Sequence, residues 1–337
     1  MKRKRMFAAT LAAAALTLSM AACTTETGGT AAPADGPKNG ENYVFGNIAY
    51  NMKDIWNQYS VESFDFAADS VDIETITLDS ENSLEKSVSL MEELIAKDVD
   101  GISVFPISPE QAATLGKMAA DAGIPVTFEN TVPAMDEEGY ISVIAAEYDV
   151  IGEAAMNYIA ETYPGAKVLY VAGAKGGGVY ESYQEGVDRA LEELDGAIEV
   201  VSVVHGDWET ELSMNVTADA INSGLEFDVV FANSELMAKG VKNALDEASL
   251  TYPIIATGGG PDGLKMIEDG EITATMSAPV SLQGMTTFKS LYQSVVLGET
   301  PEKSISLPII PVDKDSLSEA ISWEPSEAGL EFIGGIK

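Results

Sequence analysis

The segment from Val99 to Asn130, VDGISVFPISPEQAATLGKMAADAGIPVTFEN, constrains the fold more than any other stretch. Asp100-Gly101 leads into ISVFP, a short apolar run rich in β-branched residues, as a strand buried on both faces requires. Ser108-Pro109-Glu110 reads as a helix start, with Ser108 as N-cap and Pro109 at the first helical position. Ala112, Leu115, Met118, Ala119 and Ala122 recur at spacings of three and four and give one apolar helix face. Gly123 stops that helix, and Ile124-Pro125-Val126-Thr127-Phe128 is the next buried strand. The result is a βαβ unit, which right-handed crossover places in a parallel, doubly wound sheet. Its two strand ends, Phe105-Pro106 and Glu129-Asn130, open onto the edge where such sheets bind ligands.

The same alternation runs through the rest of the chain. Strands are expected at 43–49, 71–79, 140–145, 167–172, 198–205, 228–233, 254–257 and 273–277. Helices are expected through Trp56 and Tyr59 to about 69, and at 82–97, 147–163, 179–194, 209–223, 235–248, 262–269 and 282–297. Repeated β-then-α units of this length argue for an α/β architecture of parallel sheets with helices on both faces. The segment 228–241, DVVFANSELMAKGV, echoes DGISVFPISPEQAATL in outline, as two similarly built lobes would.

The first residues carry a different signal. Lys2-Arg3-Lys4-Arg5 precedes an apolar run from Met6 to Ala22 that ends at Cys23. A basic start, a short apolar core and small residues before the break mark an export signal. Met20-Ala21-Ala22-Cys23 resembles a bacterial lipobox, which implies lipidation of Cys23 and removal of residues 1–22; a plain secretory signal cleaved nearby is the alternative. Cys23 is the only cysteine, so intrachain disulfides and thiolate metal clusters are excluded. Residues 23–42, rich in Thr, Gly, Ala and Pro, read as an anchor and flexible tether.

Charge narrows the partners. The whole chain carries −35; without the four basic residues of the signal, 15 basic groups face 54 acidic ones, a net charge of −39. Such a surface repels phosphate backbones, so nucleic acid is excluded as a partner. After Cys23 the only arginine is Arg189.

The pattern DGI-x-V-x-P-x-S-P, a helix, then AGIPV is similar to the ribose-type (type I) periplasmic sugar-binding proteins that feed ABC transporters, over about residues 43–313. The resemblance implies two doubly wound, Rossmann-like lobes joined by three chain crossings over a cleft. Those crossings would fall near Ala145-Ala146, near Ala278-Pro279 and near 304–307. The implied lobes are 43–145 with 279–303, and 146–278 with 304–337. Capture then works by hinge closure, because a ligand touching both lobes stabilises the closed form by its differential affinity.

Catalytic chemistry finds no support. His205 is the sole histidine and has no Ser or Cys partner at motif spacing. The turn Gly173-Ala174-Lys175-Gly176-Gly177-Gly178 lacks the Gly-Lys-Ser/Thr ending of a phosphate loop, and Gly258-Gly259-Gly260-Pro261-Asp262 reads as a strand-to-helix turn. No enzyme, cofactor or metal site is expected. Ligand contacts come over from the resemblance position by position, and most residue types have changed. Asp54-Ile55-Trp56-Asn57 stands where the family has Asn-Pro-Phe-Phe, and Trp208 where it has an aromatic after Asp. Phe105 replaces an Asn, Glu129-Asn130 replaces Asp-Arg, and Glu181 replaces an Arg. Ser234-Glu235 replaces Asn-Asp, Gly258 replaces an Asp, and Ala278 replaces a Gln.

A sugar site sandwiches an apolar sugar face between rings while planar charged groups fork onto hydroxyls. Here the rings remain and both arginines are gone. Lys53 and Lys175 are the candidate partners for Glu129 and Glu181. The expected ligand is therefore a small solute that is neutral or cationic rather than anionic, flanked by Trp56 and Trp208. The expected protein is a monomeric, lipid-anchored, extracytoplasmic binding component working with an ABC permease. The alternative is a sensor presenting its closed form to a membrane receptor or kinase.

Overall fold

The computed structural model describes residues 42–176 and 178–337; the expected export signal, Cys23 and the expected tether up to residue 41 lie outside them. The first lobe opens with β1 (Val44–Ala49), α1 (Ile55–Asp69), β2 (Glu74–Asp79), α2 (Leu84–Ala96) and β3 (Gly101–Val104). It continues through α3 (Pro109–Ala122), β4 (Val126–Glu129) and β5 (Val143–Ala145). The second lobe takes α4 (Tyr148–Thr162), β6 (Lys167–Ala172), α5 (Val179–Glu193), β7 (Glu199–His205) and α6 (Thr210–Asn222). Then come β8 (Val229–Ala232), α7 (Glu235–Glu247), β9 (Ile254–Gly258), α8 (Pro261–Asp269) and β10 (Ala274–Ser277). The chain ends with α9 (Val280–Tyr292), β11 (Ser304–Ser306), β12 (Ile310–Asp313) and α10 (Glu327–Phe332).

The strands form two six-stranded sheets, β2-β1-β3-β4-β5-β11 and β7-β6-β8-β9-β10-β12. Every pairing is parallel except that of β12 on β10. The fold is thus the type I arrangement of two doubly wound lobes.

The central unit folds as its residues dictate. Ser108 caps α3 by accepting from Gln111 N–H at 3.2 Å, Pro109 opens it, and Gly123 ends it at φ 74°. Ala112, Leu115 and Ala119 are fully buried against Ile102, Val104 and Phe128. Each large side chain buried this way contributes about 1.5–3 kcal/mol. Ala122, expected on that face, lies exposed in the last turn, and Met118 is half-buried.

Three expectations need correction. The strand expected at 71–79 starts only at Glu74, because Asp72 turns at φ 59°. The strand expected at 140–145 starts at Val143, after a short turn at Glu137–Gly139. The third crossing comes later than expected: Ser304–Ser306 pairs with β5 in the first sheet, and the chain changes lobe only between Leu307 and Ile309. Residues 304–337 therefore do not all belong to the second lobe. The segment also returns, since Leu330 and Ile336 bury against Phe45, Phe64 and Phe288 of the first. Among the described residues the chain crosses between the lobes four times.

These crossings are packed rather than exposed. Ile144, Ala146, Ala278, Leu282 and Leu307 share one buried cluster with Ile151, Met156 and Tyr170 of the second lobe. Helices within each lobe approach closely at glycines. A Cβ on Gly284 of α9 would lie 2.0 Å from Ser60 O of α1, and one on Gly240 of α7 would lie 2.2 Å from Thr210 O of α6. Backbone cannot yield there as a side chain would. Gly284→Ala should therefore lower stability by about 2 kcal/mol or more, read as a lower urea midpoint with an unchanged slope. An unchanged midpoint would mean that α1 and α9 are not in this contact.

Candidate functional site

In both lobes the C-terminal strand ends face the crossings, and the helix starts that follow carry the candidate residues. Asp54 caps α1, accepting from Asn57 N–H at 3.1 Å and Asn57 Nδ2 at 3.2 Å. Its exposed carboxylate lies near Tyr148, at the start of α4 in the second lobe. Burial pushes that phenol up, and the Asp54 charge pushes it further. Trp56 is half-buried against the second lobe's core, with its indole N–H lacking a partner. Phe105, at the end of β3, packs on Tyr50 with centroids 5.5 Å apart.

Glu129 is 2 % exposed at the end of β4. Its carboxylate accepts from Ser60 Oγ of α1 at 2.6 Å, Gln283 Nε2 of α9 at 2.6 Å and Ser103 Oγ of β3 at 3.2 Å. Burial pushes its pKa up, and these donors, Ser60 foremost, pull it back. Its partners are neutral, while Lys53 and Lys175 stand exposed. Neighbouring Asn130 adopts φ 56° and accepts from Ala146 N–H at 3.0 Å, which pins the first crossing. Both residues are thus committed within the protein: Glu129 ties four elements together and Asn130 holds the hinge.

The second lobe repeats this economy. Glu181 accepts from Gly176 N–H at 2.7 Å and Gly178 N–H at 2.8 Å, and the first of these leads in holding its carboxyl below the usual range. It staples the glycine turn. Asp207 and Trp208 turn at φ 49° and 67°, which aims the indole back over β6. A Cβ on Gly173 would lie 2.0 Å from that ring. His205 Nδ1 is 2.7 Å from Gly173 O, so that nitrogen carries the proton and donates. The Tyr180 ring meets His205 edge-on at 4.8 Å.

Ser234 caps α7, accepting from Met237 N–H at 3.2 Å. Gly258 turns at φ 131°, and its carbonyl accepts from the buried Ala278 N–H at 3.1 Å. Asn233 Nδ2 and Ser277 Oγ, at the ends of β8 and β10, are buried without a partner. With Trp56 Nε1 they are unspent hydrogen-bonding capacity at strand ends and a helix start.

Trp323 escaped the sequence reading of the site, and Glu235 was read there only as the partner of Ser234. Trp323 meets Trp56 edge-on at 5.2 Å and donates from Nε1 to Gly258 O at 3.2 Å. The only hint was the tryptophan itself. Glu235 opens α7 and accepts from Gly259 N–H at 2.5 Å and Thr275 Oγ1 at 2.7 Å. Burial pushes its carboxyl from the ordinary 4.5 up to about 7.

That shift has a sign. The folded chain holds the Glu235 proton more tightly than the unfolded one, so this stability is fully present below 4.5 and is lost as pH rises through about 7. Glu235→Gln keeps an oxygen to accept both hydrogen bonds and removes the titration. The fall in melting temperature between about pH 5 and pH 8 should be shallower in this variant, by up to the slope of one proton. Identical slopes in calorimetry would show that Glu235 does not titrate in that window.

The chain matches the periplasmic binding protein domain over residues 45–300. It is 24% identical over 278 residues to the ribose import binding protein of Bacillus subtilis (strain 168), covering 81% of this chain and 89% of the relative. A periplasmic ribose ABC transporter protein from Conexibacter woesei has the same fold, with a TM-score of 0.75 at 20% identity over 84% of this chain and 95% of that one. An ABC transporter solute binding protein from Bacillus halodurans, solved with bound myo-inositol, superposes with a TM-score of 0.70 at 24% identity, covering 85% and 98%. Such proteins bind the substrates of transporters and are not enzymes, and no described helix is long and apolar enough to cross a membrane. The chain belongs to the periplasmic binding protein family.

Proposed function

We propose that this protein is the lipid-anchored solute-binding subunit of an ABC importer, on the outer face of a bacterial membrane, and that it captures a small neutral polyol or sugar between its lobes. One observation carries the choice of ligand. Among the described residues no lysine or arginine is fully buried, and Lys303, which burial partly desolvates, is taken up by the carbonyl and ring of Tyr140, so no interior cation waits for an anionic group. The cationic alternative weakens for a second reason. The carboxylates of Glu129 and Glu181 already accept hydrogen bonds within the protein, from Ser60, Ser103 and Gln283 and from the glycine turn.

What remains suits hydroxyl groups. Rings at Trp56, Phe105, Tyr148 and Trp208 offer apolar faces, and Trp56 Nε1, Asn233 Nδ2 and Ser277 Oγ offer hydrogen bonds. Ser234, Gly258 and Ala278 border the second-lobe side, with Asp54 and Asn130 on the first. The B. halodurans protein solved with bound myo-inositol and the B. subtilis ribose import protein point to the same class of solute.

A thermal-shift panel of monosaccharides, cyclitols, amines and sugar phosphates separates the classes, because binding only the folded state raises its stability. A neutral member should give the largest shift, and Trp208→Ala should weaken it roughly tenfold or more by calorimetry. A panel led by a sugar phosphate or a polyamine would refute the neutral reading. The anchor has its own test. Replacing Cys23→Ala should move the protein from the membrane fraction to the soluble one, since more than one acyl chain is what gives lasting attachment. Retention in the membrane would rule out lipidation as the anchor.

A further inference from the structure

The last stretch of chain departs from the two-lobe plan and lies beyond the residues 45–300 that match the family. After β12 it makes a turn at Leu317–Glu319 beside α8, then leaves the second lobe. Ser281 Oγ, at the start of α9, donates to Ser322 O at 2.6 Å. Trp323 follows, 8 % exposed, edge-on to Trp56 at 5.2 Å and to Tyr59 at 6.0 Å. All three of these contacts lie on the first lobe. The far side of the indole touches the second: Nε1 donates to Gly258 O, and a Cβ on Gly260 would stand 3.3 Å from the ring.

We infer that Trp323 is a positioning residue for solute capture, a bridge from α1 to the β9–α8 turn that holds the two lobes together before any solute arrives. Separating the lobes leaves the indole on α1, where Ser322 and Leu330 tether it, and breaks its contacts to Gly258 and Gly260. A binding-competent closed form that is populated in advance raises apparent affinity, because only the competent fraction binds. Gly258 is also where the resemblance places a ligand contact, so the bridge sits at the rim of the solute compartment. The link to capture rests on the solute-binding role proposed above.

The test measures the gap between lobes with no solute present. Spin labels are placed at two exposed helix positions, Glu92→Cys in α2 and Asn243→Cys in α7, in the full chain carrying Cys23→Ser. Trp323→Phe keeps a ring on Trp56 and Tyr59 and removes the N–H. The inference expects this variant to lengthen and broaden the interlobe distances while its melting temperature stays close to that of the parent. It also expects a five- to tenfold weaker apparent affinity for the best neutral solute of the panel. Trp323→Ala should lengthen the distances further if it folds, and the Phe variant decides the matter if it does not. Distances unchanged in Trp323→Phe would overturn the inference. Lengthened distances with no polyol bound by any variant would uphold the bridge and refute the proposed ligand instead.

Discussion

The first lobe depends on one buried carboxyl group. Glu129 lies at the end of β4, and its donors come from α1, β3 and α9, so its hydrogen bonds require four separate pieces of chain to be in register. An unpaired carboxylate in that position would cost several kcal/mol, and hydrogen bonding is what keeps the cost tolerable. The α9 donor, Gln283, reaches the site only after the chain has built five of the six strands of the second sheet and come back. The first lobe is therefore incomplete until the second crossing is made. Its stability is tied to the hinge through which the lobes move.

The hinge itself is a packed object. Ile144, Ala146, Ala278 and Leu307 sit in the cluster that also fills one face of the second lobe. Asn130 fixes the first crossing by accepting from Ala146 N–H, and Ser306 Oγ meets the Glu147 carboxylate where the third begins. Packed crossings of this kind resist continuous bending and favour a small number of lobe arrangements. Asp54 and Asp262 each place negative charge near a tyrosine of the opposite lobe, Tyr148 and Tyr59 respectively.

The architecture was legible because period and punctuation decide it. Ser108, Pro109 and Gly123 delimit α3 wherever it packs, and ISVFP can only be a buried strand. Side-chain partners were less legible, because they are set by distant segments. Glu129 was read as a ligand contact from its place after a strand, yet Ser60 and Gln283 lie 69 and 154 residues away and take up its oxygens. Glu181 was read against a lost arginine, while its true partners are the backbone amides of the turn beside it. The tail was least legible of all. Leu330 and Ile336 carry no periodic signal that says which lobe they cover, and only the exposed apolar face of the first lobe decides it.

Gly258 illustrates why changed contact residues do not by themselves define a changed site. The resemblance puts an aspartate there, and its loss suggests an emptier compartment. The space is occupied from elsewhere. Glu235 Oε2 lies 2.3 Å from where a Gly258 Cβ would stand, and Glu235 Cγ lies 2.3 Å from that of Gly263. The Gly258 carbonyl is taken by Ala278 N–H and by the Trp323 indole. The glycine's φ of 131° is also a conformation that L side chains rarely adopt. Three segments, α7, the residue after β10 and the C-terminal tail, thus meet at this position. The shape of this corner is set by Glu235 and Trp323, one residue at a contact position that the resemblance implies and one beyond the matched segment. Specificity here must be read from what fills a position as well as from what stands at it.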